Sequence, residues 1–126
     1  MDNNCSDRGD VYVIAVHDFV VLKDLEDTVR EFDPTATVLT TTSCDEAITK
    51  IRTQDQLAMV FIEAGPVYIS AVRMDELVRA RGGRIVLLGD DAEDEWDEGR
   101  SPRRWPTLQR PFSSQSVLSI IIAGRR

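Results

Sequence analysis

The sequence is poor in the residues that build disulfide frameworks, metal clusters and acid–base catalytic sites. It contains one histidine, His17, and two cysteines, Cys5 and Cys44, which lack C-x-x-C spacing. These cysteines predict neither a disulfide framework nor a zinc site, and reduced thiols are typical of the cytoplasm. The sequence has no G-x-G-x-x-G, Walker or Ser-His-Asp motif, and one histidine leaves few groups for acid–base catalysis. We therefore predict a protein that is not an enzyme.

Long apolar runs and an excess of positive charge are also missing. The apolar runs are far shorter than the ~20 residues of a membrane-spanning helix. Residues 1–10 are polar and unlike a signal peptide, so we expect a disordered tail there, before one cytoplasmic domain over residues 11–126. The net charge of −7 argues against nucleic-acid binding, which needs a positive field.

Five segments rich in apolar or β-branched residues predict strands, at residues 11–16, 35–41, 57–62, 84–88 and 105–108. The first four are near-continuous apolar or β-branched runs, as in strands buried on both faces of a parallel sheet. The last one is weak and contains Pro106, so it fits only an edge strand.

Helical patterns lie between these strands. Leu22, Leu25 and Val29 have helical spacing, and a helix there should end before Pro34. Ser43 and Glu46 form an S-x-x-E capping box that predicts the start of the second helix.

The later helices are less regular. We predict a third helix over residues 70–81, with Val72, Leu77 and Ala80 facing inward and Gly82-Gly83 as its stop. Residues 92–98 form a poor helical pattern of acids around Trp96, and residues 113–123 predict the last helix.

Alternating strands and helices predict a parallel sheet that is covered on both faces. We expect an α/β fold, a three-layer αβα sandwich of the flavodoxin-like kind, with five parallel strands in the order 2-1-3-4-5. Ligands of such sheets bind at the carboxyl ends of the strands, so the residues that follow each strand are the candidate site.

Those residues are His17 and Asp18, Glu63, Gly89, and Arg110-Pro111-Phe112. With this motif at the end of the fifth strand, the chain resembles the receiver domain of response regulators, the CheY-like superfamily, over residues 11–123. The resemblance implies that His17 and Asp18 stand in the place of an acid pair that holds Mg²⁺. Glu63 stands in the place of the phosphoacceptor aspartate, with Ile62 as an alternative register.

Gly89 and Arg110 then replace the threonine or serine and the lysine that contact the phosphate. These replacements predict a degenerate pocket, a pseudo-receiver. His17 substitutes nitrogen for an oxygen ligand of a hard cation, so Asp18 and Glu63 would bind Mg²⁺ only weakly. Glu63 is one methylene longer than aspartate, which moves the nucleophile out of position. We predict that Glu63 is not efficiently phosphorylated and pairs instead with Arg110.

The resemblance implies two-component-type signalling through protein–protein contacts, with a histidine kinase or another regulator as partner. We predict contacts through Trp96, Trp105, Arg103 and Arg104, and a homodimer in which the acidic run of residues 90–98 meets this arginine cluster. Two alternatives stay open. One is a working phosphoacceptor in a phosphorelay, and the other is an unrelated flavodoxin-like small-molecule binder or enzyme with a pocket at the carboxyl edge.

Overall fold

The computed structural model describes residues 10–89, 92, 105–108 and 113–124. The strands in these residues are β1 (Val11–Ala15), β2 (Thr37–Thr41), β3 (Met59–Glu63), β4 (Arg84–Leu88) and β5 (Thr107–Leu108). The helices are α1 (Phe19–Phe32), α2 (Cys44–Arg52), α3 (Pro66–Ala71), α4 (Met74–Arg79) and α5 (Ser114–Gly124). Strands and helices alternate as predicted up to β4, except that two short helices follow β3. Apart from residue 92, the helical pattern predicted for residues 92–98 lies outside the described residues.

The strands form one parallel sheet in the order β2-β1-β3-β4-β5, as the sequence predicts. Ala15 lies opposite Ile62, and Glu63 lies opposite Leu88, so the carboxyl ends of β1, β3 and β4 meet at one edge. β5 is the edge strand expected from Pro106, whose carbonyl accepts a hydrogen bond from the Leu87 N–H at 2.9 Å.

Alternating side chains of the central strands form two cores. Tyr12, Ile14 and Phe61 pack towards α1 and α5, whereas Val13 and Val60 pack towards α2 and α4. None of these side chains is more than 1% exposed. Burying each one stabilises the fold by about 1.5–3 kcal/mol, which explains why the strands are apolar on both faces.

Helix α1 follows its sequence pattern. Leu22, Leu25 and Val29 are buried along one face, and the helix ends at Phe32. Pro34 cannot donate a backbone hydrogen bond and restricts the residue before it, so the helix stops where the sequence predicts.

Helix α2 begins at the predicted cap, but only half of the capping box forms. The Ser43 hydroxyl accepts a hydrogen bond from the Glu46 N–H at 3.3 Å. The Glu46 carboxylate accepts from the buried Thr41 hydroxyl, and that hydroxyl also accepts from the Ser43 N–H at 3.1 Å. Thr41 therefore takes over the return contact that a capping box assigns to the glutamate.

The prediction of one helix over residues 70–81 is wrong. Pro66 starts α3 at the first helical position, where its missing N–H leaves no partner unsatisfied. The chain then breaks at Arg73, which has a left-handed φ of 58°, and α4 begins at Met74. A left-handed residue ends a helix, so the 3.6-residue period cannot run through it.

The break also changes the inner face of this segment. Ile69, Met74 and Val78 are buried, whereas the predicted inward residues Val72 and Leu77 are only half-buried. The third predicted inward residue, Ala80, is exposed because α4 starts in a new phase after Arg73.

Among the described residues, no helix is long and apolar enough to cross a membrane.

Candidate functional site

The carboxyl edge of the sheet brings His17 and Glu63 together. β1 and β3 are neighbours, so the residues that follow them meet, and the His17 N–H donates a hydrogen bond to Glu63 Oε1 at 2.8 Å. Glu63 is half-buried at the end of β3, whereas Ile62 is fully buried in the core beside α2 and α4. Glu63 is thus the residue that reaches the edge.

The His17 imidazole joins two loops. Its Nδ1 lies 2.9 Å from the Thr42 carbonyl oxygen. A carbonyl oxygen only accepts, so Nδ1 is the donor in this contact. The ring is exposed and links the loop after β1 to the loop after β2.

Asp18, the remaining acid of the pair, caps helix α1. Its Oδ1 accepts hydrogen bonds from the Val20 N–H at 2.8 Å and from the Val21 N–H at 3.4 Å. These donors would otherwise lack partners at the start of the helix. One oxygen of this carboxylate therefore has a structural role.

Glu63 occupies the space beside Gly89. A Cβ atom at position 89 would lie 2.7 Å from Glu63 Cγ and 3.4 Å from Glu63 Oε2. Gly89 also has a φ of 102°, a conformation that residues with side chains rarely adopt. The longer side chain of Glu63 and the missing side chain of Gly89 therefore fit each other.

Cys44, which the sequence predicts only to be a reduced thiol, is a neighbour of the site. Its Sγ lies 3.9 Å from the Glu63 carbonyl oxygen. Burial, together with the carboxylates of Asp45 and Glu63, raises the pKa of the Cys44 thiol. The thiol is therefore neutral at pH 7 and a poor nucleophile. Its position just after β2, at the same edge as Glu63, is the signal that could have found it.

Apolar side chains flank this edge. Phe19 and Val20, at the start of α1, are 68% and 67% exposed, and Val67, in the first turn of α3, is 66% exposed. Single exposed apolar residues are common, but these three all follow strands that end at the candidate site. The sequence does not predict that these side chains are exposed, because an apolar residue at the start of a helix can be either buried or exposed.

Comparison with solved structures identifies the architecture. The chemotaxis response regulator CheY4 of Vibrio cholerae superposes with a TM-score of 0.68 at 17% identity, over 91% of this chain and 98% of that one. A response regulator receiver protein from Sinorhizobium medicae gives a TM-score of 0.66 at 20% identity, over 95% of this chain and 99% of that one. The chain has the receiver fold.

A further solved structure has the same fold, whereas the comparisons by sequence find no match. An adenylate cyclase structure from Rhodopirellula baltica also matches the receiver fold seen here, with a TM-score of 0.66 and 19% identity, over 92% of this chain and 87% of that one. No protein-family profile and no curated protein matches the sequence.

The acid pair that would hold Mg²⁺, as the family resemblance implies, is incomplete in this chain. His17 replaces one carboxylate, and among the described residues no group of three or more potential ligands is placed to hold a metal ion. Asp18 and Glu63 would be the protein ligands of the weak site predicted from the sequence, and one oxygen of each already accepts a backbone N–H.

Several predicted residues of the pocket and the interface lie outside the described residues. These are Arg110, Pro111, Phe112, Trp96, Arg103 and Arg104. Trp105 is described, is half-buried, and packs against the core beside α2 and α4.

Proposed function

We propose that this chain is a degenerate receiver domain that acts through protein–protein contacts in two-component-type signalling. The receiver fold supports the signalling role, and the replaced residues at the carboxyl edge support the loss of efficient phosphorylation. In this proposal the chain works in the cytoplasm, with a histidine kinase or another regulator as its partner.

The contact between Glu63 and Gly89 carries the proposal. Phosphoryl transfer depends on positioning, and displacements of about 1 Å cost on the order of 100-fold in rate. Glu63 holds its carboxylate next to the space of a side chain at position 89, and its Oε1 already accepts the His17 N–H. In this proposal the Glu63 carboxylate lies away from the position of an aspartate nucleophile, and one of its oxygens is already hydrogen-bonded.

This arrangement also explains how the pocket would work without phosphate. The half-buried Glu63 carboxylate lies at the edge whether or not phosphate is present, and Gly89 leaves room for it. Arg110 would be its cationic partner, as the family resemblance implies. The pocket would then have one fixed electrostatic state, and the surface around it would carry the function.

Incubation with acetyl phosphate and Mg²⁺, followed by intact-mass measurement, tests this proposal. We expect no stoichiometric phosphoryl gain on the wild-type chain, while a receiver with an intact acid pair and aspartate in the same tube gains one group. A gain of one phosphoryl group that Glu63→Gln abolishes and Glu46→Gln retains would instead establish a working phosphoacceptor. Glu46 is a suitable control because its carboxylate lies in α2, where it accepts from the Thr41 hydroxyl and not from the His17 loop.

The exposed apolar side chains near the site support protein contacts there. Phe19 and Val20 stand beside the His17 loop and are about two-thirds exposed. We expect the Phe19→Ser variant to lose binding to a cognate kinase in a pull-down with purified proteins, while the Lys50→Ser control on α2 keeps it. Equal binding by both variants would contradict a contact at this edge.

The predicted homodimer is a separate part of the proposal. Sedimentation of the wild-type chain over a wide concentration range should show association that weakens with added salt, because its predicted contacts are between opposite charges. A monomer at every concentration would remove the homodimer and leave the kinase contact unaffected.

A further inference from the structure

A second opening on the described surface lies at the other end of the sheet. A cleft of about 690 Å³ lies beside the amino ends of β3 and β4, between α4 and the last turns of α5. Its volume falls in the range of small-molecule pockets, about 300–1,000 Å³. The cleft shares none of its lining residues with the carboxyl-edge site, and its lining includes Met59, Arg79, Arg84, Val86, Trp105 and Ile120.

The cleft offers the guanidinium groups of Arg79 and Arg84 beside the carboxylate of Asp75, and its backbone donors at Gly82, Gly83 and Arg84 are already used. The Gly82 and Gly83 N–H groups already donate to the Arg79 and Val78 carbonyls at 2.9 and 3.0 Å. The Arg84 N–H donates to the Ala58 carbonyl at 3.3 Å. A ligand in the cleft would therefore meet guanidinium side chains instead of free amides.

Arg84 is the guanidinium best placed for this role. It is exposed at the first position of β4, and in the part of the chain that the structure describes its side chain has no ion-pair or hydrogen-bond partner. Arg79 lies 3.8 Å from Asp75, which also lines the cleft, and the Arg79 side chain is 75% exposed. An arginine that has no acidic partner among the described residues is well suited to pair with an external anion.

The remaining walls are apolar and include an indole. Trp105 is half-buried at the cleft, with Ile120 of α5 and Met59 of β3 on the other walls. Gly82 leaves one side open, because a Cβ atom there would meet nothing within 4 Å. A flat ring can stack on an indole or lie along such aliphatic walls, and stacking of a base on an aromatic side chain is favourable.

We propose that this cleft binds a small anion carrying a planar ring, for which a mononucleotide is the representative chemistry. The Arg84 guanidinium would pair with the phosphate through charge-assisted hydrogen bonds, with Arg79 as a second cation. The ring would pack between Trp105 and Ile120. This site does not depend on the degenerate receiver function, and either proposal can fail without the other.

Tryptophan fluorescence of a Trp96→Phe chain tests the proposal, because Trp105 is then the one remaining tryptophan. The probes are adenosine monophosphate, guanosine monophosphate and anilinonaphthalene sulfonate, with adenosine and inorganic phosphate as partial ligands. We expect saturable quenching by at least one of the three anionic aromatic probes, with Kd below ~1 mM. Adenosine and phosphate should each bind at least about 10-fold more weakly than the anionic aromatic probe that binds.

Substitutions in the same background separate a built site from general charge attraction. Arg84→Ala should weaken binding by about 10-fold, because it removes a charge-assisted hydrogen bond. The control Arg52→Ala, an exposed arginine of α2 outside the cleft, should leave the affinity unchanged. Ile120→Phe should also weaken binding by narrowing the cleft.

The proposal is overturned if none of the three anionic probes gives saturable quenching. It is equally overturned if Arg84→Ala and Arg52→Ala bind with the same affinity. Circular dichroism confirms that each variant is folded, and Ile120→Phe provides a second test that does not alter charge.

Discussion

The two ends of the same sheet differ in how their polar groups and space are used. At the carboxyl edge Glu63 accepts from His17, His17 contacts Thr42, and Glu63 fills the space beside Gly89. At the amino edge Arg84 has no ion-pair partner among the described residues. The polar groups at the carboxyl edge are therefore satisfied by contacts within the chain, whereas the amino edge has an open cleft bordered by Arg84.

Two glycines make this comparison testable, because each has a positive φ but only one has a close neighbour. Gly89, with φ 102°, faces Glu63, whereas Gly82, with φ 79°, faces open space. We expect Gly89→Ala to lower the free energy of unfolding by about 3 kcal/mol, the sum of backbone strain and overpacking. Urea unfolding measures this change.

The same substitution in a Glu63→Ala background isolates the contact. Removing the Glu63 side chain relieves the overpacking, so Gly89→Ala should then cost only the backbone strain of about 1–2 kcal/mol. If Gly89→Ala costs the same in both backgrounds, the fit between the two residues does not contribute.

At the amino edge, Gly82→Ala should cost less. Its added Cβ meets no atom within 4 Å, so we expect a loss of about 1.5 kcal/mol from strain alone. The loss should be the same in the Glu63→Ala background, since the two positions lie at opposite edges. Equal destabilisation by Gly82→Ala and Gly89→Ala would contradict the difference between the edges.

Asp18 gives a smaller effect that separates capping from charge. Asp18→Ala should lower the free energy of unfolding by about 1 kcal/mol through loss of the α1 cap. Asp18→Asn keeps a side-chain oxygen and should retain nearly all of the stability, because asparagine caps about as well as aspartate. A loss with Asn as large as with Ala would show that the charge, and not the cap, is what stabilises this loop.

The smallest effect concerns Cys44 and pH. Its pKa is raised in the folded chain by burial and by Asp45 and Glu63, so the folded state holds its proton more tightly than the unfolded chain. The resulting stabilisation is fully present below the thiol pKa of the unfolded chain and is lost as pH rises through the folded pKa.

Alkylation of Cys44 by iodoacetamide in a Cys5→Ser chain measures this directly. The rate against pH should inflect at a higher pH for the folded chain than in urea, and Glu63→Gln should lower that inflection. An inflection for the folded chain at or below the value in urea would show an activated thiol and contradict the satisfied edge.

Much of the fold was predictable because it depends on local patterns. β4 has its predicted bounds, Arg84–Leu88, and α1 buries Leu22, Leu25 and Val29 as their spacing indicates. The break at Arg73 was not predictable, because no glycine or proline marks it and a left-handed arginine is rare. The prediction of which residues face inward in α4 was wrong for the same reason.

The candidate site was predictable by position but not by contact. The order of the strands placed His17, Glu63 and Gly89 at one edge, since parallel strands end on the same side. Two contacts of the Glu63 side chain depend on rotamers and loop geometry. They are the hydrogen bond from the His17 N–H and the close fit against Gly89. Neither is fixed by the identity of a residue.

The sequence by itself determined the alternation of strands and helices, the identity of the replaced residues and the acidic net charge. These depend on apolar period, turn residues and composition, which act within a few positions of the chain. Only the tertiary structure decided that Asp18 is a helix cap, that Glu63 and Gly89 share one space, and that Arg84 borders a cleft at the opposite edge. Those results depend on atoms far apart in sequence that meet only when the sheet and its covering helices pack together.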